Sequence, residues 1–319
     1  MIDKQSENPD VSFVIPLYNE QETLPVLVER LNALMDKNNT LRFEVVLIND
    51  GSKDDTETII QGLALNDGRY HGVFLSRNFG HQLALTAGLS VATGNAVMIL
   101  DGDLQDPPEL FNQFYDYIQD GYDVVYAIRE KRKEPFLKRT CYNLFYRLLK
   151  KISYVDIPLD SGDFCMISKR ALTQINALPE ESRFVRGLRS WIGYKQIGVT
   201  YERQSRYAGE AKYSYKMLFK LAYNGIFNFS EFPIKFITSM GMFTIIISLL
   251  FLIITILKKL IYGTVPEGFT SLLMAIFLFS GVQLISLGVI GEYVLRIFFQ
   301  VKGRPLFIIK NRIQNKQVL

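Results

Sequence analysis

The sequence predicts an α/β protein: a Rossmann-like, mostly parallel sheet followed by a two-helix hairpin that crosses a membrane. Three observations predict it. Short apolar runs alternate with amphipathic stretches through the first 130 residues, clusters of polar residues follow those runs directly, and two long stretches near the C-terminus carry no charge.

The apolar runs at 11–15, 43–48, 73–75, 96–100 and 124–127 are the expected strands, and the amphipathic stretches at 20–35, 55–65 and 82–91 the expected helices. This alternation is the βαβ pattern of a parallel sheet. Ligands of such sheets bind beyond the carboxyl ends of the strands. The polar clusters stand there: Pro16-Leu17-Tyr18-Asn19-Glu20, Asn49-Asp50-Gly51-Ser52, Ser76-Arg77-Asn78-Phe79-Gly80 and Asp101-Gly102-Asp103. There is no internal repeat and no low-complexity linker.

Residues 236–257 are 22 in a row without a charge, and 268–291 are 24 more. A helix of 22 residues is about 33 Å long, enough for a hydrocarbon core of about 30 Å. Two buried core helices are the alternative, but soluble helices rarely run so long without a charge. Ser280, Gln283 and Ser286 are expected to face the partner helix rather than lipid. A ten-residue loop, 258–267, makes the pair a hairpin, so both ends lie on one side. The basic head and tail put that side in the cytoplasm. Lys258 and Lys259 in the loop argue the other way, yet can snorkel from a helix end. Segments 137–152 and 212–229 have apolar residues at helical spacing beside several Lys and Arg. Each alone reads as a helix on the core; together, beside two spans, they read as interfacial. The expected organisation is a cytoplasmic catalytic domain at 1–230, a transmembrane domain at 231–295 and a basic cytoplasmic tail at 296–319.

Composition agrees. Hydrophobic residues make up 48% and mean hydropathy is +0.10, high for a purely soluble enzyme. The net charge is only +4, but acidic residues lead at 50–55 and 101–109 and basic ones at 129–220 and after 296. That split suits one half handling metal and phosphate and another facing anionic lipid. Residues 1–10 lack the apolar core of a signal peptide. Cys141 and Cys165 have no metal-ligand spacing and read as free thiols. His71 and His81 are isolated, so no histidine metal site is expected. Neither G-x-x-x-x-G-K-[ST] nor G-x-G-x-x-G follows a strand, which disfavours P-loop and dinucleotide enzymes.

The chemistry centres on Asp101-Gly102-Asp103. Alternate residues of an extended segment point the same way, so both carboxylates can face one ion. Hard oxygens suit Mg²⁺ or Mn²⁺, which shares its site with substrate phosphates. A bare Asp-x-Asp is usually a solvated turn; its place after an apolar strand and before Leu104-Gln105-Asp106-Pro107-Pro108-Glu109 favours the ion. Asp50 could bind a nucleobase or ribose, or cap the next helix in rivalry with Ser52 and Asp54. Tyr18 could stack on the base, or be an ordinary surface tyrosine.

These motifs, with Ser161-Gly162-Asp163-Phe164, the stretch from Arg206-Tyr207 to Tyr213-Ser214, Gly288-Val289-Ile290-Gly291-Glu292-Tyr293 and Arg304-Pro305, resemble glycosyltransferase family 2. More narrowly, they are similar to bacterial polyprenyl-phosphate glycosyltransferases and dolichol-phosphate mannose synthases. The resemblance covers nearly the whole chain. It implies a GT-A fold, an inverting mechanism and a divalent metal, Mg²⁺ or Mn²⁺. By that resemblance Asp101, Asp103 and Gln105 match the metal and diphosphate site, and Pro16, Tyr18, Glu20, Asp50 and Asn78 the nucleotide-sugar pocket. Arg129, Arg206 and Lys212 match basic positions near the phosphates, and Asp163 an acidic position near the acceptor. The donor it implies is UDP-glucose or a related UDP-sugar. The acceptor is polyprenyl (undecaprenyl) phosphate in the inner membrane bilayer, and the product a lipid-linked sugar for envelope glycans. Relatives suggest a homo-oligomer; no nucleic-acid partner is implied. Ala211 stands where relatives often carry Ser or Thr, and Gly102 where they often carry Ala, a change expected to be harmless. A processive polysaccharide synthase is one rival, but its Gln-x-x-Arg-Trp motif is absent: the only tryptophan, Trp191, follows Leu188-Arg189-Ser190. A non-catalytic membrane scaffold is the other, and the intact Asp101 and Asp103 argue against it.

Overall fold

The structure is a computed structural model describing residues 8–130, 158, 161–181, 183–202, 227, 230, 232–262 and 268–319. Strands β1 (Val11–Leu17), β2 (Phe43–Asn49) and β3 (Tyr70–Leu75) alternate with helices α1 (Leu24–Lys37) and α2 (Thr56–Asn66). Helix α3 (His81–Val91) leads to β4 (Ala96–Ile99), and α4 (Phe111–Gln119) to β5 (Val124–Glu130). Then come β6 (Ser161–Ser168), α5 (Lys169–Ala177), α6 (Val185–Trp191) and β7 (Gln196–Glu202). Two long helices follow, α7 (Phe232–Tyr262) and α8 (Phe269–Lys302), and the chain ends in β8 (Ile309–Gln314) and β9 (Gln317–Val318).

Strands β1 to β4 are rich in Val, Ile, Leu and Phe and buried along their whole length, as central strands covered on both faces should be. Helix α1 shows the matching helical spacing: Leu24, Leu27, Leu31, Leu34 and Met35 are its buried residues. Pro25 sits in its first turn, where its missing N–H costs nothing.

The nine strands form one sheet in the order β7-β5-β6-β4-β1-β2-β3-β8-β9. The centre, β4-β1-β2-β3, is parallel. The flanks are mixed: β6 runs antiparallel to β4 and β5, β7 parallel to β5, and β8 antiparallel to β3. From β1 the chain moves outward to β2 and β3, and α3 then carries it back to β4 on the other side of β1. The strand order therefore reverses between β1 and β4, and a crevice opens at their carboxyl ends.

The five expected strands correspond to β1 to β5, the fourth running one residue past Ile99; β6 to β9 are additional to the expectation. The stretch read as a basic tail supplies β8 and β9, and covers the β3 edge that would otherwise carry unpaired N–H and C=O groups.

The chain divides into two compact units, and the tail Pro305–Leu319 belongs to the sheet unit. In the other unit, α7 and α8 have 31 and 34 residues, longer than the uncharged stretches within them. Both are long and apolar enough to cross a membrane, with mean hydropathies of 2.7 and 1.6 over their candidate spans. Helix α8 runs on through Glu292 and Arg296, which pair one turn apart at 2.9 Å. The Ser286 hydroxyl donates to Val282 O of its own helix, the usual back-bond of a helical serine, and Ser280 and Gln283 lie exposed. Ser280 and Gln283 thus do not take up the expected place against the partner helix, while Ser286 is half-buried. Segment 137–152, nearly all of 212–229 and Cys141 lie outside the described residues; Cys165 is a buried free thiol in β6.

Candidate active site

The crevice between β1 and β4 is walled on one side by the loops after β1 and β2, which are laced together. Asn19 N–H donates to Ser52 Oγ at 3.0 Å and Lys53 N–H to Asn19 Oδ1 at 2.8 Å. Glu20 N–H donates to Thr56 Oγ1 at 2.9 Å, and the Glu20 carboxylate accepts from Thr23 at 2.8 Å. Asn19 takes a positive φ of 52°, a conformation asparagine tolerates better than most residues. Pro16 is buried near the end of β1, and Tyr18 is half-buried just beyond it.

Asp50 is buried at the end of β2. Its two oxygens accept from the backbone of the third loop, Phe79 N–H at 2.7 Å and Gly80 N–H at 3.0 Å. It does not cap α2; Asp54 accepts from Thr56 N–H there. Burial raises the Asp50 carboxyl above its ordinary value, against the pull of those two N–H groups. Gly51 completes the clamp. It has φ +65°, and a Cβ on it would stand 2.6 Å from the backbone of Arg77 and Asn78. Asn78 itself is exposed.

Beyond β4 the chain turns sharply. Asp103 is buried and its Oδ1 accepts from Gln105 N–H at 3.2 Å, while buried Leu104 is held at φ 61°, a strained conformation for a leucine. A Cβ on Gly102 would lie 2.4 Å from Leu17 Cδ2, so this turn presses on the end of β1. An alanine there would need only the end of the Leu17 side chain to shift. The far end of the loop is pinned by Arg30 of α1, which donates twice to Glu109, at 2.9 and 2.6 Å.

The other side of Asp101 also holds His81, Gln82, Arg186 and Arg189, which no local motif marks as site residues. His81 Nε2, at the start of α3, faces Asp101 Oδ1 at 3.5 Å and Asp163 Oδ2 at 3.4 Å. Gln82 Nε2 donates to Asp163 Oδ2 at 2.8 Å, and Arg186 of α6 stands 3.5 Å from Asp163 Oδ1. Arg189, fully buried, donates to Gly162 O and Ser161 Oγ beside it. Burial opposes charge on Asp163, but Arg186 and His81 hold it well below the usual carboxylate range. Burial likewise opposes a charged His81, yet Asp101 and Asp163 raise it to about 9. Arg129 on β5 is fixed by Tyr201, whose hydroxyl accepts from Arg129 Nε at 3.3 Å and donates to buried Asp106. Arg206 and Lys212 lie outside the described residues.

His81 was read as isolated because its partners are remote in the chain; only topology joins them. Arg186 and Arg189 did leave a signal: two arginines three apart in a short helix whose Val185 and Leu188 are apolar.

Asp101 tests whether a cation fits. Its Oδ1 is buried without a hydrogen bond among the described residues. Burial, then Asp106, Asp103 and Asp163, push its carboxyl up to about 6 against the pull of His81. A divalent ion would relieve both conditions. Among the described residues no three or more His, Cys, Asp or Glu converge as a complete cage. Two carboxylates that share an ion with substrate phosphates are the form Mg²⁺ commonly takes.

The sequence profile described as Glycosyl transferase family 2 matches residues 12–175, from β1 into α5, and so spans every feature of this crevice except α6 and β7. The chain belongs to this family. Its GT-A sheet is the fold expected, and glycosyl transfer is the activity class of the family. Among relatives of family 2, the uncharacterized glycosyltransferase YkcC of Bacillus subtilis is 42% identical over 98% of both chains. The bactoprenol glucosyl transferase of Shigella phage SfV is 41% identical over 95% of this chain and 99% of its own. Among solved structures, glucosyl-3-phosphoglycerate synthase from Mycobacterium tuberculosis, in complex with UDP, is similar at 17% identity over 68% of this chain and 79% of that one, with a TM-score of 0.47.

Proposed function

We propose that this chain transfers a sugar, with inversion, from UDP-glucose or a related UDP-sugar to polyprenyl (undecaprenyl) phosphate at the cytoplasmic face of a bacterial inner membrane. The observation that carries the reading is Asp101, one buried oxygen of which lacks a hydrogen bond among the described residues, beside Asp103 at the β4–β1 crevice of a family 2 chain. The relative from phage SfV supplies the acceptor class through its name, and the likeness runs the length of both chains. The two apolar helices support a membrane-held enzyme. Connectivity supports a hairpin: β7 before the helices and β8 after them share one sheet, which requires an even number of crossings.

Each group then has a task. The laced loops 16–20 and 49–52 wall the nucleotide pocket, and Asp50 fixes the loop that carries Asn78. Asp101, Asp103 and Gln105 would hold Mg²⁺ or Mn²⁺, which when bound supplies charge stabilisation to the departing nucleoside diphosphate. Arg129, oriented by Tyr201 and Asp106, adds a fixed positive charge near those phosphates. A phosphate monoester has a second pKa of about 6, so near pH 7 the acceptor is mostly a dianion and attacks without a protein base. It needs placement in line with the sugar carbon, at roughly 3–3.5 Å. Asp163, engaged by His81, Gln82 and Arg186, suits positioning better than proton abstraction. Arg206 and Lys212 add cations for the acceptor phosphate. The polyprenyl tail is held in the bilayer by about 0.8 kcal/mol per buried CH₂, which keeps that phosphate at headgroup level.

The test is incubation of membranes containing the chain with a panel of labelled nucleotide-sugars, followed by lipid extraction. Label from a UDP-sugar should enter a lipid phosphate. Label that enters only protein, free glycan or a growing polymer overturns the proposal.

A further inference from the structure

We propose that Gln82 is a positioning residue for the acceptor half of the site, an inference that rests on the transfer reaction above. The sheet order puts β6, with Asp163, on the opposite side of β4 from β1 and β2, whose loops wall the nucleotide pocket. The acceptor half is therefore the flank held by Asp163 and α6. Gln82 ties the two together with one amide. Its NH₂ donates to Asp163 Oδ2 at 2.8 Å, and its carbonyl accepts from the backbone N–H of Val185, at the start of α6, at 2.9 Å. The next residue, Arg186, then stands 3.5 Å from the other Asp163 oxygen. The amide presents a donor to the carboxylate and an acceptor to the peptide N–H at once. The backbone of α3 at Gln82 is itself fixed, because Thr86 Oγ1 donates to Gln82 O at 2.7 Å and Asp50 grips Gly80 just before it. The two bonds of the Gln82 side chain itself go to Asp163 and Val185 and not to the loops 16–20 and 49–52, so disturbing them should separate acceptor handling from donor binding.

Three substitutions in the full-length chain read this out. Gln82→Met keeps the shape and loses both hydrogen bonds. Gln82→Glu keeps the acceptor for Val185 and sets a carboxylate against Asp163. Gln82→Asn keeps the amide on a shorter arm. Steady-state transfer is measured with polyprenyl phosphate and the UDP-sugar that the wild type uses, each varied in turn, alongside UDP binding. The expected result is a fall in kcat/KM for the acceptor of roughly tenfold to a hundredfold for Met, the range for a lost hydrogen bond to a charged group. Glu should fall further and Asn less, while the donor KM and UDP binding stay within about twofold of wild type, as they should when only one substrate's binding steps are disturbed. Unchanged acceptor kinetics in both Met and Glu variants overturn the proposal. So does loss of UDP binding in step with acceptor kinetics, which would make Gln82 a structural support of the whole site. If the wild type itself transfers no sugar to polyprenyl phosphate, the failure belongs to the proposed reaction and not to Gln82.

Discussion

Two carboxylates near opposite ends of the parallel strands, Glu44 buried and Asp101 half-buried, are treated in opposite ways. Glu44, near the start of β2, accepts from Ser12 Oγ, from Thr93 N–H at 3.0 Å and from Thr93 Oγ1 at 3.1 Å, and stands 3.0 Å from His71 Nδ1. Burial alone would raise its carboxyl, but the bonds from His71, Ser12 and Thr93 bring it below its ordinary value. Asp101, just past the end of β4, is raised, and one of its oxygens has no hydrogen bond among the described residues. A satisfied buried charge holds a fold together. One with an oxygen left without a hydrogen bond among the described residues, beside only a distant ion pair with His81 at 3.5 Å, is a candidate for completion by a ligand.

The sharpest way to break this contrast is to remove each carboxylate in turn. Asp101→Ala and Asp103→Ala should lower turnover by roughly 10²–10³, the scale of one lost electrostatic contributor in an active site. Thermal unfolding should show little loss of stability. Full activity of either variant, or of wild type in EDTA, would remove the metal from the account.

Glu44→Ala should do the reverse. Losing the centre of a buried network leaves Ser12, Thr93 and His71 without their partner, and should cost about 3 kcal/mol of stability. The fraction that remains folded should keep its kcat. A variant that unfolds normally but turns over slowly would mean that the network reaches the site.

The pH dependence follows from the direction of the Glu44 shift. A carboxyl lowered in the folded state contributes stability that is fully present above its unfolded pKa of about 4.3. That contribution is lost as pH falls through the lower folded value. Melting curves below pH 5 should therefore show a drop that Glu44→Gln flattens. An identical slope in the variant would assign the acid loss to other groups, of which Asp123, lowered by Arg170 and Ser168 against its burial, is the next candidate.

The smallest effect belongs to Arg30. Its pair with Glu109 is bidentate, but the Glu109 side chain is 59% exposed, so Arg30→Ala should cost under about 1 kcal/mol. If the pair keeps the Asp101–Glu109 loop in place, turnover falls a few-fold, which steady-state kinetics will register.

The central strands were legible because each is a short apolar run followed at once by a polar cluster, and a parallel strand buried on both faces must look like that. Strand β6 was not, since Ser161, Gly162 and Asp163 break its apolar run; neither was β8, where Lys310, Asn311 and Arg312 mask a strand next to the sheet edge. In the site, Asp101 and Asp103 were legible from local pattern. Asp50 stands out in the sequence as a candidate, but its grip on Phe79 and Gly80 does not, because that contact spans about thirty residues. His81 and Gln82 were hidden for the same reason: Asp163 lies 81 residues beyond Gln82 and reaches it only through the antiparallel β4–β6 pairing.

The measurement that bears most directly on the contrast is Mn²⁺ binding followed by electron paramagnetic resonance, with and without UDP, in wild type, Asp101→Asn and Glu44→Gln. Wild type and Glu44→Gln should bind Mn²⁺ in the presence of UDP, and Asp101→Asn should lose it. Equal binding in Asp101→Asn, or loss in Glu44→Gln, would contradict the assignment of the unsatisfied carboxylate as the one that awaits the ion.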